Sequence, residues 1–374
     1  MSQLGAVALT AMLAVSPALG ADESFVYFGT DAKGPGAGIA VARFNTATGA
    51  LTPPEIVVDA PRASFFAIHP DARHLYASHA GSPGALSAYA IDPATGRLTL
   101  LNIKSASGAD PCYAGLDQTH RFMLDANYSG ANIEVHAIGP DGALGDRTGL
   151  GQHTGRSIHP RRQKAAYAHS VIADPTNHFL LAADLGADKV FIYRFDERTG
   201  AIAPHDPPSV SLAPGSGPRH LRFTPDGKQL YVINELANTI TGFDWDGQAG
   251  KAREFQTVPT LPTDFKAENT TAEIQIAPGG KFLYGTNRGH DSIVVFSINQ
   301  SSGALTLVQH ISSGGKKPRN FTFDSTGNWL ICTNHDSKNA VVFKVDQASG
   351  KLIQHGDPVP TPTAYCVRFL PSGK

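Results

Sequence analysis

The chain is 374 residues long, carries a formal net charge of −1 and has 17% charged residues. That balance gives no single-signed field able to gather nucleic acid or an anionic membrane surface, so any recognition of an anion must be local. Length alone would suggest two or more domains, but a repeat array, in which each unit packs only on its neighbours, is free of that rule.

The N-terminus reads as a separate object. Ala6 to Val15 form an apolar run, Ser16-Pro17 interrupts it, and Ala18-Leu19-Gly20-Ala21 offers small residues for cleavage near Gly20, which is the layout of a signal peptide. The run is too short to span a bilayer, and Met1-Ser2-Gln3 lacks the Lys or Arg such a leader normally carries. Residues 1–20 are expected to be removed on export, leaving residues 21–374 as one domain in the periplasm or outside the cell. An unprocessed leader would leave the chain in the cytoplasm.

From there one ending recurs seven times. Turns such as Thr48-Gly49-Ala50-Leu51, Thr95-Gly96-Arg97-Leu98 and Ser302-Gly303-Ala304-Leu305 put glycine at positions 49, 96, 142, 200, 247, 303 and 350. A period of about 40 to 50 residues, with several short apolar runs per unit, marks the four-stranded blades of a propeller. Seven turns mean seven blades. In the fifth unit Arg219 to Phe223 alternates as strand A, Pro225-Asp226-Gly227-Lys228 turns, Gln229 to Ile233 is strand B, Thr239 to Trp245 is strand C, and Asp246-Gly247 leads into strand D. Tyr365 to Phe369 is a strand A with nothing after it, and Phe25 to Phe28 a strand B with nothing before it. The expected fold is therefore an all-β, seven-bladed β-propeller of four-stranded antiparallel blades, closed by the C-terminal strand joining the N-terminal blade.

Cys112, Cys332 and Cys366 lie in apolar runs outside any metal-ligand spacing and read as buried thiols. In an oxidising compartment Cys332 and Cys366 could pair.

If strand A runs from the top face to the bottom, the A to B and C to D turns lie at the bottom and are generic, selected by backbone geometry. The B to C loops and the starts of strand A lie on top. There the chain places Arg62, Asn127, Tyr128, His169, Asp184, Arg219, His220, Asn234, Glu235, Glu273, Asn287, Arg288, His290, Arg319, Asn320, Asn334, His335 and Asp336. Any one of these is most simply a strand-end ion pair or a hydrogen-bonded filler. Together they are hard to explain as stability, because buried charge costs free energy unless paired, and convergent polar groups at an axial mouth are the default ligand site of such a fold.

Gly217-Pro218-Arg219-His220-Leu221-Arg222-Phe223, Asn234-Glu235-Leu236, Ala272-Glu273-Ile274, Asn287-Arg288-Gly289-His290, His169-Ser170-Val171 and Pro318-Arg319-Asn320-Phe321 resemble the seven-bladed propeller lactonase family, which includes propeller-type 6-phosphogluconolactonases and fungal carboxymuconate lactonizing enzymes. The resemblance implies a catalytic group at His169, Arg219, Glu235 and Arg288. The family's Pro-His-x-His run before strand A of blade four reads Ala166-Tyr167-Ala168-His169 here, so one of its two histidines is lost.

Lactone opening needs a base to activate water and a charge sink for the oxyanion. Glu235 and His169 compete for the first role, because a carboxylate between arginines is a weakened base. The preferred assignment has Glu235 activating water, His169 shuttling the proton, and Arg219 and Arg288 on the anion. Arg62, Asn127, His220, Asn234, Glu273, Asn287, His290, Arg319 and His335 are the candidate substrate-binding residues. No phosphate loop, nucleophile elbow or tight His/Asp metal spacing stands out, so no cofactor and no metal is expected. The expected enzyme is a monomeric lactonase acting on a small-molecule sugar lactone. A cycloisomerase acting on a polycarboxylate would use the same arginines. A non-enzymatic binding propeller is the third reading, encouraged by Tyr231-Val232-Ile233-Asn234, which echoes the Tyr-Val-Thr-Asn repeats of surface-layer propellers.

Overall fold

The computed structural model describes residues 20, 22–30, 32–33 and 37–371; the leader expected at residues 1–20 falls almost wholly outside them. Among the described residues, seven four-stranded antiparallel sheets contain every strand. Strand A of each blade is innermost: Ala364–Phe369 in blade one, then Ala63–Ile68, Pro111–Leu116, Ala168–Ala173, Pro218–Phe223, Thr270–Ile276 and Pro318–Phe323. Consecutive A strands touch around the ring, and Pro318–Phe323 touches Ala364–Phe369, which touches Ala63–Ile68. Closure is as expected, with Val26 to Thr30 pairing antiparallel with Phe369 to Ala364.

Blades pack through one repeated contact. Each C to D turn presents a glycine to a residue at the start of strand B in the preceding blade: Gly96 to Phe25, Gly200 to Phe122, Gly350 to Phe282 and Gly49 to Trp329. Gly350 has φ of 73°, and a Cβ there would lie 2.3 Å from Phe282 Cδ1, so both backbone and neighbour demand glycine. Two residues on, tyrosines add a second tie: the hydroxyls of Tyr27, Tyr231 and Tyr284 donate to the carbonyls of Gly96, Gly303 and Gly350. In blade five the glycine in this place is Gly250, with φ of 63° and Phe179 against it, not Gly247. Asp246-Gly247 opens a turn that closes later, with Gly250 N–H on Asp246 O as Gly200 N–H is on Asp196 O.

A second repeated device builds the axial mouth. Strand A of every blade carries a register shift near its start, and the residue it leaves over is Ser64, Cys112, His169, Arg219, Arg319 or Tyr365 in six blades. A bulge re-aims the side chain it frees, and all six line the top cavity. In blade six the shift spans Thr271 and Ile274. The three cysteines are free thiols, and the Cys332 to Cys366 pair is not formed.

Candidate active site

The cavity at the axial mouth has a volume of about 450 Å³. Arg62, Arg162, Arg219, Arg288 and Arg319 line it against two carboxylates, Glu235 and Asp110, with His169 and His220 between them. Glu235 follows strand B of blade five, and its backbone N–H is fixed on Gly217 O at 2.7 Å. Both its oxygens are engaged. Arg162 Nη2 donates to Oε1 at 2.6 Å, while Arg219 Nε and Arg288 Nη2 each lie 3.0 Å from Oε2. Burial works against the charge, but Arg288, Arg219, His169 and Arg162 outweigh it and hold the carboxyl well below its usual range.

The same carboxylate occupies three of the arginines. Arg219 also donates to Ala272 O at 2.7 Å, and Arg288 to Thr271 O at 2.6 Å. Arg319 is different. Its guanidinium lies 3.8 Å over the Tyr365 ring, and Glu235 acts on it at longer range than on Arg162, Arg219 and Arg288. Planar guanidinium stacked on an aromatic face is pre-oriented to offer its donors to an anion.

His169 Nε2 is 4.0 Å from Glu235 Oε2. Burial first, then repulsion from Arg219, pushes its imidazole well below the ordinary histidine value, so it is neutral. Cys112 Sγ sits 3.8 Å from His169 Nδ1, and burial raises that thiol to about 12, which removes it as a nucleophile. Beneath lies a second layer. His220 accepts at Nε2 from Arg219 Nη1 at 3.2 Å and faces Glu273 with Nδ1 at 3.3 Å. Since arginine only donates, His220 is the neutral Nδ1–H tautomer, consistent with burial lowering it to about 3. Glu273, fully buried, also meets Arg222 at 3.1 Å and the Asn320 amide, and these partners overcome burial to hold it at about 2.

Of the residues proposed from sequence, Glu235, His169, Arg219, Arg288, Arg62, His220 and Arg319 are brought together. Asn127, Asn234 and Asn287 do not reach the cavity. They are buried at the ends of strand B, where Asn234 Nδ2 ties Thr239 and Thr241, Asn287 Nδ2 ties Thr260 O and Ser292, and Asn127 Nδ2 ties Asn132 and Glu134. Glu273 lies under the floor. His290 turns to Ser292 Oγ at 2.7 Å and packs on Phe265. His335 pairs with Asp336 and leans on Tyr365, in a recess that shares Arg288 and Arg319 with the cavity. Arg162 went unread: it lies between blades three and four, outside the repeat, and only the Arg161-Arg162 doublet there marked it. The carboxylates of the cavity are flanked by arginines, an arrangement that repels cations and suits an anion.

A family model described as "Lactonase, 7-bladed beta-propeller" matches residues 25–369. A Bacillus subtilis protein named 6-phosphogluconolactonase is 35% identical over 345 residues, covering 92% of this chain and 97% of that protein. One of the same name from Formosa agariphila is 32% identical over 314 residues, covering 82% and 88%. The solved structure of a periplasmic gluconolactonase from Pseudomonas aeruginosa superposes with a TM-score of 0.87 at 31% identity, covering 93% of this chain and 99% of that one. With the bulge-built cavity and its ring of arginines in place, these matches establish that the chain belongs to the seven-bladed β-propeller lactonase family.

Proposed function

We propose that the protein hydrolyses a sugar lactone that carries an anionic group, in the axial cavity, after export to the periplasm. The observation that carries this reading is the charge imbalance of the cavity: five arginines face two carboxylates, and Arg319 is stacked over Tyr365. A phosphate or carboxylate bound there gains charge-assisted, fork-matched hydrogen bonds. The relatives named 6-phosphogluconolactonase support the reaction, and the periplasmic gluconolactonase supports the compartment.

Hydrolysis adds water across the acyl C–O bond. A base removes a proton from water as the oxygen attacks the carbonyl carbon, an arginine takes the oxyanion charge, and the ring oxygen leaves with the proton. The geometry favours the reverse of the roles preferred from sequence. Glu235 is saturated by three arginines, which it holds in position, whereas the neutral imidazole of His169 has a lone pair to offer. A bound substrate anion offsets the positive field that keeps His169 weakly basic, so it strengthens the base as it binds; a neutral lactone does not.

The test is hydrolysis of 6-phosphogluconolactone and unphosphorylated gluconolactone by the purified protein. The phosphorylated lactone is expected to have the larger kcat/KM. If neither is opened faster than in buffer alone, the reading is wrong.

A further inference from the structure

We propose that the A to B turn of blade two, on the face opposite the cavity, is a binding site for a divalent transition-metal ion, held by His69, Asp71 and His74 with His120 of blade three beside it. One ligand atom from each of His69, Asp71 and His74 lies within 4.8 Å of the others. Asp71 Oδ1 is 3.0 Å from His69 Nδ1, and Oδ2 is 2.8 Å from His74 Nδ1. Neighbouring ligands about 2.1 Å from one ion stand roughly 3 Å apart, so little movement would seat it.

The repeat itself gives the second argument. In each blade the residue that opens this turn bonds its N–H to the carbonyl of the residue that starts strand B, as in Asp117 with Phe122, Asp174 with Phe179 and Asp324 with Trp329. In those three blades the aspartate side chain accepts the N–H of that aromatic residue, at 2.9 Å each time. The aromatic then packs on the next blade's glycine. Blade two keeps the backbone pair but puts His69 and His74 at these positions and sets Asp71 between them. His74 still packs on Gly142. The positions tolerate other residues, Thr224 with Gln229 in blade five and Ala277 with Phe282 in blade six, and His69 Nδ1 accepts the Asp71 N–H at 3.2 Å as Asp117 and Asp174 accept the N–H of Thr119 and Thr176. What is particular to blade two is that two imidazoles and a carboxylate meet in one turn, in the spacing His69-x-Asp71-x-x-His74.

The surroundings suit a cation with borderline-soft ligands. The His120 ring lies edge-on to His69, 5.6 Å between centroids. Asp71 borders a groove of about 550 Å³ and His120 a recess of about 390 Å³, which leaves an open path to the ion.

Zinc chloride titrated into the whole purified chain in a calorimeter tests the site. His74→Phe removes one ligand while restoring the residue type used at Phe122 and Phe179, and Asp71→Ala removes the carboxylate. The wild type is expected to take up one zinc ion per chain at micromolar concentration. Both variants should bind more than about 100-fold more weakly, since even outer-shell changes cost 10- to 100-fold, while lactone hydrolysis stays unchanged. Should Asp71→Ala fail to fold, His74→Phe decides alone. The proposal is overturned if the wild type binds no zinc at that level, or if His74→Phe binds it as tightly as the wild type.

Discussion

In the proposed mechanism His169 is the base and Glu235 the scaffold, and pH separates this arrangement from the obvious one. A histidine in water would lose its function as pH falls through about 6.5. Burial and then the Arg219 charge push His169 well below that; a depressed histidine stays deprotonated, hence active as a base, to lower pH. The expected kcat/KM profile for the neutral lactone is therefore flat through pH 6.5, and an acid limb centred there would show that His169 is not the base. His169→Asn should lower kcat by about 100-fold or more. Arg319→Ala is the matching test of recognition. Losing one charge-assisted contact of about 1.5–3 kcal/mol should cut kcat/KM for the phosphorylated lactone about 10- to 150-fold and leave the neutral one nearly untouched; equal losses would place Arg319 on the oxyanion. The sequence made His169, Arg219, Glu235 and Arg288 legible because motif and strand position agreed. It misplaced Asn127, Asn234 and Asn287 because a corner-stapling amide and a ligand-binding amide occupy the same strand end, and only side-chain direction tells them apart. Arg162 was illegible because it lies where no repeat sets the expectation.

Among the elements, the bulged start of strand A and the glycine of the C to D turn do most to join fold to site. The glycine spacing alone gave seven blades, since a turn that requires both positive φ and a bare Cα cannot drift. It faltered once, at Asp246-Gly247, because two glycines lie in that turn and sequence does not show which one takes the left-handed conformation. Substitution resolves the difference. Gly350→Ala would strain a φ of 73° and drive a methyl against Phe282 at 2.3 Å, costing about 2–4 kcal/mol from strain and overpacking together. Gly250→Ala, with φ of 63° and Phe179 Cε1 at 2.5 Å, should behave alike. Gly247→Ala meets nothing closer than Thr176 Cγ2 at 3.3 Å and should cost less than about 1 kcal/mol. Urea unfolding of the three variants checks this, and a Gly247 cost equal to that of Gly250 would return the repeat mark to Gly247. The bulge was not legible at all: His169, Arg219 and Arg319 follow the same alternation as a regular strand, and the extra residue shows only against its partner strand.

At the scale of the whole molecule, closure and active site are one structure. The closing strand Ala364–Phe369 supplies Tyr365, which seats Arg319 at 3.8 Å. It also supplies Val367 N–H and Arg368 Nη1, which hold Asn320 Oδ1 at 3.1 and 2.7 Å, and Asn320 in turn holds Glu273. Removing residues 364–374 would leave Glu23–Thr30 as a bare inner edge, uncover what the buried Cys366 and Val367 pack against and break the ring of A strands. A domain stable by about 5–15 kcal/mol cannot absorb the loss of a whole buried strand, so a chain ending at Thr363 is expected to lose its cooperative unfolding transition along with activity. Arg368→Ala is the graded control: Glu273 keeps Arg222 and His220, so the cost should be about 1–3 kcal/mol with the transition intact. Because Glu273 is held at about 2, below its unfolded value near 4.5, its ion pairs stabilise the fold above pH 4.5, and that contribution is lost as pH falls towards 2. The Arg368→Ala penalty should therefore be full at neutral pH and shrink in acid. Thermal melts of both variants from pH 7 to pH 3 check the pair: a truncated chain that melts within a few degrees of the full one would show that the six remaining inner strands hold the ring without the seventh.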